Sequence, residues 1–370
     1  MSTAHHYTDL LIVGGGPSGA STALSLLNYS KLKVTIVEQS DFSRTRVGEH
    51  VSSSIFNLLD YLKIEKADFD PDSFIPVYAT KAYWGSNKAN STHSIFTTEE
   101  STYQLDREKF DLKLIEVAAE RGASIFPRSK CIKFWQQEDL TWQVLVSHPE
   151  QGKFTISAKY LVDASGRTGN VCRQVGAPSQ KYDSLMGVGL FFKRDKESLQ
   201  FEQTMEAAEN GWWYAACLPD NKMVLTFFTD ADIISKHEIH SLESWKEILQ
   251  KTHHIKQLIQ GATALTENPW VRNAQTQISN STQIKRFIAI GDAAVSFDPI
   301  SSMGIGFAIS SACHAATHIR KELANEIPTN EIFQEDILRN FSQYLQLRKQ
   351  FYQQEKRWAA SLFWKRRREV

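Results

Sequence analysis

The sequence predicts an α/β protein whose nucleotide-binding domain begins with an N-terminal βαβ unit, is interrupted by a strand-rich segment and resumes near residue 286. Three observations support this fold class. A buried strand and a small-residue helix flank a glycine loop within residues 7–27. Strand-like segments dominate residues 77–229, and a second strand, turn and helix begin at Arg286. A long, charged helix is predicted to follow from Glu331 to Trp364.

The composition describes a globular chain of 370 residues, 42% hydrophobic and 23% charged. Its 42 basic and 42 acidic residues leave no net charge, which argues against electrostatic binding to nucleic acid or an anionic membrane. No apolar run is long enough to span a membrane, and the N-terminus lacks signal-peptide features. We expect a cytoplasmic protein, because its four cysteines show neither metal-ligand spacing nor a disulfide framework.

The N-terminal βαβ unit carries the clearest motif. The segment Gly14-Gly15-Gly16-Pro17-Ser18-Gly19 follows a buried strand with G-x-G-x-x-G spacing. Gly14 permits the tight turn, Gly16 lets the backbone approach a pyrophosphate, and Gly19 permits close helix packing. Pro17 and Ser18 start the helix whose N-terminus attracts the anion. Glu38 ends the second strand, where its carboxylate can accept hydrogen bonds from ribose hydroxyls. The whole unit therefore predicts dinucleotide binding.

After Glu38 the strand and helix alternation of a nicotinamide dehydrogenase stops. A helix is predicted near 51–62 and another from Arg107 to Arg121, with Gly122 as its C-cap. Strands are expected at 77–84, 124–135, 141–147, 154–162, 187–193, 212–218 and 223–229. A buried strand at 286–290 then leads into Gly291-Asp292, an irregular loop and a small-residue helix.

These elements predict a discontinuous nucleotide-binding domain formed by residues 1–75, 100–130, 150–180 and 280–325. Residues 76–99 and 181–279 are assigned to a substrate domain. Residues 326–370 form the C-terminal helical segment.

Four blocks of the chain resemble flavoprotein monooxygenases of the p-hydroxybenzoate hydroxylase fold. They are the glycine loop with Glu38, Arg46-Val47-Gly48-Glu49, Asp106-Arg107 with Phe110-Asp111, and Asp163-Ala164-Ser165-Gly166-Arg167 with Gly291-Asp292. The resemblance implies a Rossmann-type FAD-binding domain interrupted by a strand-rich substrate domain. It implies that Asp292 binds the ribityl chain and that Arg46 and Arg107 lie near the phosphates or ribityl chain. Backbone N–H groups around Gly304 and Ile305 would face the flavin ring at a helix N-terminus, which stabilises negative charge. Gly48 and Pro299 are also assigned to the cofactor site.

Departures from the phenol hydroxylases narrow this resemblance. Val295 replaces their histidine, and the longer loop from Asp298 to Gly304 is similar to that of halogenases and geranylgeranyl reductases. The halogenase Trp-x-Trp-x-Ile-Pro element is absent, and neither Lys81 nor Lys88 falls in a pattern typical of the halogenase lysine. Trp84-Gly85, Gly211-Trp212-Trp213-Tyr214 and the 298–304 loop most resemble the maturation flavoproteins of glycine oxidase and lysine oxidase.

That resemblance implies an FAD-dependent monooxygenase that hydroxylates a tryptophan of a partner protein during cysteine tryptophylquinone biogenesis. The partner would be the precursor of a quinoprotein amino-acid or amine oxidase. Molecular oxygen and a reductant, NAD(P)H or a flavin reductase, would take part. No general base is assigned, because an indole ring is electron-rich. The alternatives are a small-molecule hydroxylase, a halogenase, a geranylgeranyl-reductase-like enzyme, or a non-catalytic flavin-binding chaperone.

Several residue groups have two interpretations. Trp84, Trp212, Trp213 and Tyr214 either line a substrate pocket or pack within the strands. The C-terminal aromatic residues either dock a partner or pack on their own domain: Phe351, Tyr352, Trp358, Phe363 and Trp364. The basic run from Lys365 to Arg368 is expected to be a frayed terminus rather than a docking patch. Scattered histidines such as His253-His254 predict no metal site.

Overall fold

The computed structural model describes residues 5–43, 46–77, 79–89, 102–194, 202–324 and 330–369. Two expected domain boundaries, between residues 99 and 100 and between residues 325 and 326, lie outside the described residues. The α-helices are α1 (Pro17–Tyr29), α2 (Ile55–Tyr61), α3 (Arg107–Glu120), α4 (Asn170–Val175), α5 (Ala231–Lys236), α6 (Leu242–Gln250), α7 (Ile255–Leu258), α8 (Gly304–Leu323), α9 (Asn330–Gln354) and α10 (Leu362–Glu369).

The strands contribute to four sheets. They are β1 (His5–Val13), β2 (Val34–Val37), β3 (His50–Ser52), β4 (Phe74–Val77), β5 (Ala79–Tyr83), β6 (Thr102–Leu105), β7 (Ser124–Phe126), β8 (Lys130–Gln136), β9 (Trp142–His148), β10 (Gly152–Asp163), β11 (Ser179–Lys181), β12 (Leu185–Lys193), β13 (Glu202–Ala208), β14 (Gly211–Leu218), β15 (Lys222–Asp230), β16 (Thr263–Ala264), β17 (Trp270–Asn273), β18 (Gln277–Ser279), β19 (Phe287–Ala289) and β20 (Val295–Ser296).

The first large sheet contains the predicted nucleotide-binding strands. Its order is β7-β2-β1-β10-β9-β8, and β19 also pairs with β10. β1 is parallel to β2 and β10, with Val13 opposite Val37 and Asp163. β19 is parallel to β10, with Ala289 opposite Asp163. The carboxyl ends of these strands therefore meet at one edge, which is where open α/β sheets bind nucleotides.

The second large sheet has the order β16-β12-β15-β14-β13-β5, with β17 pairing β12. β5 and β13 are parallel, whereas β14 runs antiparallel to β13 and β15. The smaller sheets are β3-β6-β4 and β11-β18-β20. β3 starts two residues after Gly48 and β6 ends two residues before Arg107, so the β3-β6-β4 sheet adjoins the predicted flavin-binding segments.

Two hydrophobic cores accompany the two large sheets. Leu11 of β1 and Ile309 of α8 are in the first, and Trp213 of β14 is in the second. α9 contributes Phe341 to the first core and Phe351 to the second, so this helix joins them. The four cysteines are buried and form no disulfide with one another. Among the described residues, none of the helices has the length and apolar character needed to cross a bilayer.

The α/β class and the N-terminal βαβ unit, β1-α1-β2, are confirmed, but some element boundaries are wrong. The helix predicted at 51–62 begins only at Ile55, because residues 50–52 pair with β6. The strand predicted at 124–135 is divided into β7 and β8. β13 was not predicted, although it pairs with both β5 and β14.

The predicted continuous C-terminal helix is broken at Glu355. The buried Glu355 carboxylate accepts the Gly85 N–H at 2.8 Å and forms an ion pair with Arg357. These contacts fix the connection between α9 and α10. Arg367 of α10 then donates to Asp230 Oδ1 at 2.8 Å, and Arg366 pairs with the same carboxylate. The expected frayed terminus is therefore wrong for these two arginines.

The C-terminal aromatic residues pack mainly within their own chain. Phe351, Tyr352, Phe363 and Trp364 are buried in the second core, and Trp358 packs against it. Trp84 Nε1 also donates to the Phe351 carbonyl oxygen at 3.1 Å. The packing interpretation accounts for these side chains.

Candidate functional site

The glycine loop between β1 and α1 is tightly packed at two positions and open at a third. Gly14 has φ +114°, and a Cβ there would collide with the Ala164 carbonyl oxygen. A Cβ on Gly19 would collide with the Gly14 carbonyl oxygen. Gly16 has φ −73°, and a Cβ built on it would lie 3.7 Å from Arg46 Nη1. The loop thus leaves an approach for a pyrophosphate at Gly16.

The first turn of α1 meets the turn after β19. Pro17 starts α1, and no side chain caps its N-terminus, so backbone N–H groups there can receive an anion. Gly291 has φ +54°, and a Cβ on it would lie 2.8 Å from Ser18 Oγ. This close approach brings the two predicted nucleotide-binding turns together.

Glu38 follows β2 with its carboxylate buried beside the glycine loop. Its Oε2 accepts the Gly15 N–H at 2.6 Å, and Oε1 accepts the Ser40 N–H at 2.7 Å. Each carboxylate oxygen can accept more than one hydrogen bond. The placement leaves acceptor capacity for ribose hydroxyls, and that role stays a prediction.

Arg46 and Arg107 converge on the buried Asp111 carboxylate. Asp111 Oδ2 lies 2.8 Å from Arg46 Nη1 and 2.9 Å from Arg107 Nη2. Arg107 Nη1 also donates to the carbonyl oxygens of Val47 and Gly48, at 3.0 and 2.8 Å. Asp111 is part of the Asp106-Arg107 and Phe110-Asp111 block named in the sequence analysis, where it was given no role. It orients both guanidinium groups before a ligand binds.

Asp292 provides an unpaired acceptor at the same edge of the sheet. Its Oδ2 lies 3.5 Å from Arg167 Nε, whereas its buried Oδ1 has no hydrogen-bond partner. A buried polar atom without a partner is destabilising unless a ligand supplies one. A ribityl hydroxyl would supply the missing donor.

The loop that follows leads from Asp298 into α8. Pro299 begins a 3-10 turn, Ser302 has φ +53°, and α8 starts at Gly304 without a side-chain cap. A Cβ on Gly304 or Gly306 would meet no atom within 4 Å. The first turn of α8, which includes Ile305, therefore combines available N–H groups with open space. These features fit the flavin contact that the family resemblance implies.

Asp298 connects this loop to α9. Its Oδ1 accepts the Ile300 N–H at 3.1 Å, and its Oδ2 accepts the Tyr352 hydroxyl at 2.7 Å. Arg348 Nε lies 3.4 Å from Oδ2, and Arg348 Nη2 pairs with Asp183 at 2.8 Å. Burial raises the pKa of Asp298, while the Arg348 charge opposes that rise. The network thus fixes the loop through buried polar contacts.

Together these residues fit FAD. The opening at Gly16, the positioned arginines and the unpaired Asp292 oxygen provide complementary contacts for a phosphate and hydroxyl-bearing cofactor. Bound FAD supplies electron transfer and, after reduction, reaction with oxygen. The roles of the individual residues stay predictions.

The four aromatic pocket candidates have different environments. Trp84, Trp212 and Trp213 are buried in the second core, in agreement with the packing interpretation. Tyr214 instead donates to Glu49 Oε1 at 2.8 Å, which links β14 to the segment after Gly48. Burial raises the pKa of Glu49, and the Tyr214 hydrogen bond opposes that rise.

Sequence reasoning missed two neighbours of Glu49. His50 and Gln104 are buried and directly opposite in the β3–β6 ladder. No spacing rule pairs residues so far apart. Recognising this pair would have required the register between β3 and β6. The prediction of a helix at 51–62 left β3 out.

Replacement of Asp292 with alanine is expected to weaken FAD binding. Loss of a charged hydrogen-bond acceptor should reduce binding by about 1.5–3 kcal/mol, or roughly 10–100-fold. Titration of the apoprotein with FAD, followed by flavin fluorescence, would measure the change. Asp139→Ala, in the exposed turn between β8 and β9, is the control. Equal affinity in wild type and Asp292→Ala would contradict the ribityl assignment.

A model of the FAD binding domain family matches residues 7–329. The putative FAD-dependent oxidoreductase LodB of Marinomonas mediterranea is 40% identical over 359 residues, covering 97% of this chain and 96% of LodB. The tryptophan 2-halogenase of Chondromyces crocatus is 25% identical over 330 residues, covering 86% of this chain and 62% of that enzyme.

Solved structures share the fold. The flavin-dependent halogenase CmlS has a TM-score of 0.83 and 22% identity, covering 98% of this chain and 68% of CmlS. The peptidyl tryptophan dihydroxylase QhpG, described as essential for tryptophylquinone cofactor biogenesis, has a TM-score of 0.71 and 20% identity. The match covers 98% of this chain and 78% of QhpG.

Proposed function

The chain belongs to the FAD binding domain family, and we propose that it hydroxylates a tryptophan of a partner protein during cysteine tryptophylquinone biogenesis. Its coarser activity is that of an FAD-dependent oxidoreductase. The proposed partner is the precursor of a quinoprotein amino-acid or amine oxidase. Per hydroxylation, a reductant such as NAD(P)H or a reduced flavin supplies two electrons. One oxygen atom of O₂ enters the ring, the ring proton is released, and the other oxygen leaves as water.

This proposal depends on one observation: β14 directs the Tyr214 side chain toward the predicted flavin-binding segments. Tyr214 contacts Glu49 there, whereas strand alternation places Trp213 on the opposite face. Trp213 packs edge-to-face against Trp245 of α6, so helix α6 covers that opposite face. The Tyr214 face of β14 is therefore the face next to the predicted flavin-binding segments, and on this side an uncharged indole can lie against the flavin.

Halogenation is the second candidate, and the names of the halogenase relatives support it. Halogenases of this superfamily require an active-site lysine. Lys81 pairs with Thr204, and the ladder continues to Ala215, which places Lys81 on the Trp213 face of the sheet. Lys88 is exposed in the turn after β5. Neither lysine therefore lies on the Tyr214 face of the sheet, which favours oxygenation over halogenation.

A tryptophan within a protein also fits the absence of an obvious charged clamp in the sequence. A tryptophan within a polypeptide has neither a free amino group nor a free carboxylate, so it needs no charged clamp. The comparison with QhpG supplies a precedent at the level of the fold, because QhpG is a peptidyl tryptophan dihydroxylase. The likeness supports the proposal without assigning the QhpG activity to this chain.

The decisive experiment is co-expression with a candidate oxidase precursor under ¹⁸O₂, with bromide present. Mass spectrometry of the tryptophan-bearing peptide should show labelled oxygen only when active flavoprotein is present. Gly16→Leu, which is designed to block FAD, is the matched control. Bromine incorporation would establish the halogenase alternative. Maturation supported equally by Gly16→Leu would favour a non-catalytic chaperone, and maturation without either protein would refute the proposal.

A further inference from the structure

The β3-β6-β4 sheet contains two buried polar side chains that no predicted cofactor contact explains. His50 of β3 and Gln104 of β6 are paired in register, with 9% and 3% of their surfaces exposed. Directly opposed residues in an antiparallel ladder project from the same face of the sheet. The pairing therefore brings an imidazole and a carboxamide together.

All the polar side-chain atoms of this pair lack hydrogen-bond partners. They are both ring nitrogens of His50 and both amide heteroatoms of Gln104. The Tyr214 hydroxyl donates its proton to Glu49 Oε1 at 2.8 Å, and the neighbouring Gln104 amide partly offsets the rise in the pKa of Tyr214 that burial causes. A buried donor and acceptor pair without partners is unfavourable, and such groups are retained where they serve binding or catalysis.

The pair is electrically neutral at physiological pH, although charged groups surround it. Burial lowers the pKa of His50 to about 4, so its imidazole offers one donor and one acceptor. Glu49 is already bonded to Tyr214 and the Gly48 N–H. Arg107 is likewise occupied by Asp111 and backbone carbonyl oxygens. The available hydrogen-bonding groups thus suit a neutral polar ligand.

The pair also lies beside the predicted cofactor site. His50 follows Glu49 directly, and Gln104 precedes Arg107 by three residues. β3 contacts α8, whose first turn provides the predicted flavin contact. The polar atoms are enclosed in this structure, so a ligand reaches them after a rotation of the His50 or Gln104 side chain.

We propose that His50 and Gln104 bind the ring N–H group of the aromatic substrate and position the ring next to the flavin. The inference rests on the proposed function and specifies the substrate-binding atoms. An indole ring N–H donates to the His50 nitrogen acceptor or the Gln104 carbonyl oxygen. The remaining donor can hold a peptide carbonyl oxygen of the same substrate.

The binding test uses the FAD-loaded enzyme with N-acetyltryptophanamide, whose binding is followed by the change in the flavin absorption spectrum. His50→Phe and Gln104→Leu should each weaken binding about tenfold, while leaving the FAD dissociation constant unchanged. N-acetyl-1-methyltryptophanamide, which lacks the ring donor, should bind wild type weakly and show little further loss in either variant. Gln143→Leu and His148→Phe are the matched buried controls on β9.

A stability measurement separates a binding role from a structural role. Gln143 and His148 accept hydrogen bonds, from Ser157 and from backbone N–H groups respectively, so their replacements should lower the melting temperature. His50→Phe removes no hydrogen bond, and Gln104→Leu removes only the contact with the Tyr214 hydroxyl, so both variants should melt near or above the wild-type temperature. Melting losses like those of the controls would overturn the proposal.

The outcomes distinguish this inference from the proposed function. If the pair variants bind N-acetyltryptophanamide as wild type does, the pair assignment is wrong while tryptophan remains a candidate substrate. If only N-acetyltyrosinamide binds, and the variants weaken it, the pair binds a phenol hydroxyl, and both the ring N–H assignment and the tryptophan assignment are overturned. Failure of wild type to bind either probe, or loss of FAD binding comparable to Asp292→Ala, would overturn the pair assignment.

Discussion

Replacement of Gly16 with leucine is expected to weaken FAD binding at least about a hundredfold, equivalent to roughly 2.8 kcal/mol, while preserving the apoprotein fold. Its φ of −73° is accessible to any residue, and a Cβ would lie 3.7 Å from Arg46 Nη1. The folded chain therefore tolerates a side chain, but the pyrophosphate loses its approach to the backbone. FAD titration and circular dichroism of the apoprotein would measure these effects separately.

A graded series makes this prediction specific. Gly16→Ala should bind FAD with intermediate affinity, because its methyl group occupies less of the approach. Gly14→Ala should instead destabilise the apoprotein, because Gly14 has φ +114° and an added Cβ would collide with the Ala164 carbonyl oxygen. If Gly16→Leu retains wild-type FAD affinity, the pyrophosphate does not bind at this loop.

The features predicted well from the sequence are local ones. The glycine spacing and the strand before it specify the turn, and Glu38 and Asp292 each follow a buried strand. Parallel strands bring their carboxyl ends to one edge, so these short segments assemble at a common site. Two hydrophobic strands and a glycine turn are sufficient to make that inference without long-range contacts.

The missed features depend on contacts between distant segments. The sequence could not determine that His50 lies opposite Gln104, since the helix predicted at 51–62 replaced the strand that makes this pairing. It could not distinguish the faces of Trp213 and Tyr214, because both packing and pocket roles favour aromatic residues. It also gave no indication that Arg367 pairs with Asp230, which turns the expected frayed end into an ordered helix.

The connection between α9 and the flavin-contact loop provides a second large prediction. Arg348→Met should destabilise the protein by about 3–5 kcal/mol at pH 7, because it leaves two buried carboxylates without their cation. Asp298 is the more enclosed of the two, at 0% exposure. Its loop also continues to Gly304, so FAD affinity should decrease. Urea unfolding of the apoprotein and FAD titration would measure the two effects.

The pH dependence and a control on the same helix test the charge argument. Burial already raises the pKa of Asp298, so its contribution to stability is present at low pH and is lost as pH rises through the folded-state pKa. Removal of Arg348 raises that pKa further, so the destabilisation should be smaller at pH 5 than at pH 7.

Arg339→Met changes a largely exposed ion pair with Asp336 and should alter stability by less than about 1 kcal/mol. Asp298→Asn should restore part of the stability lost in Arg348→Met, because it removes one unpaired buried charge. Equal losses for Arg339→Met and Arg348→Met, or no improvement at pH 5, would show that the buried charges do not hold α9 against the loop.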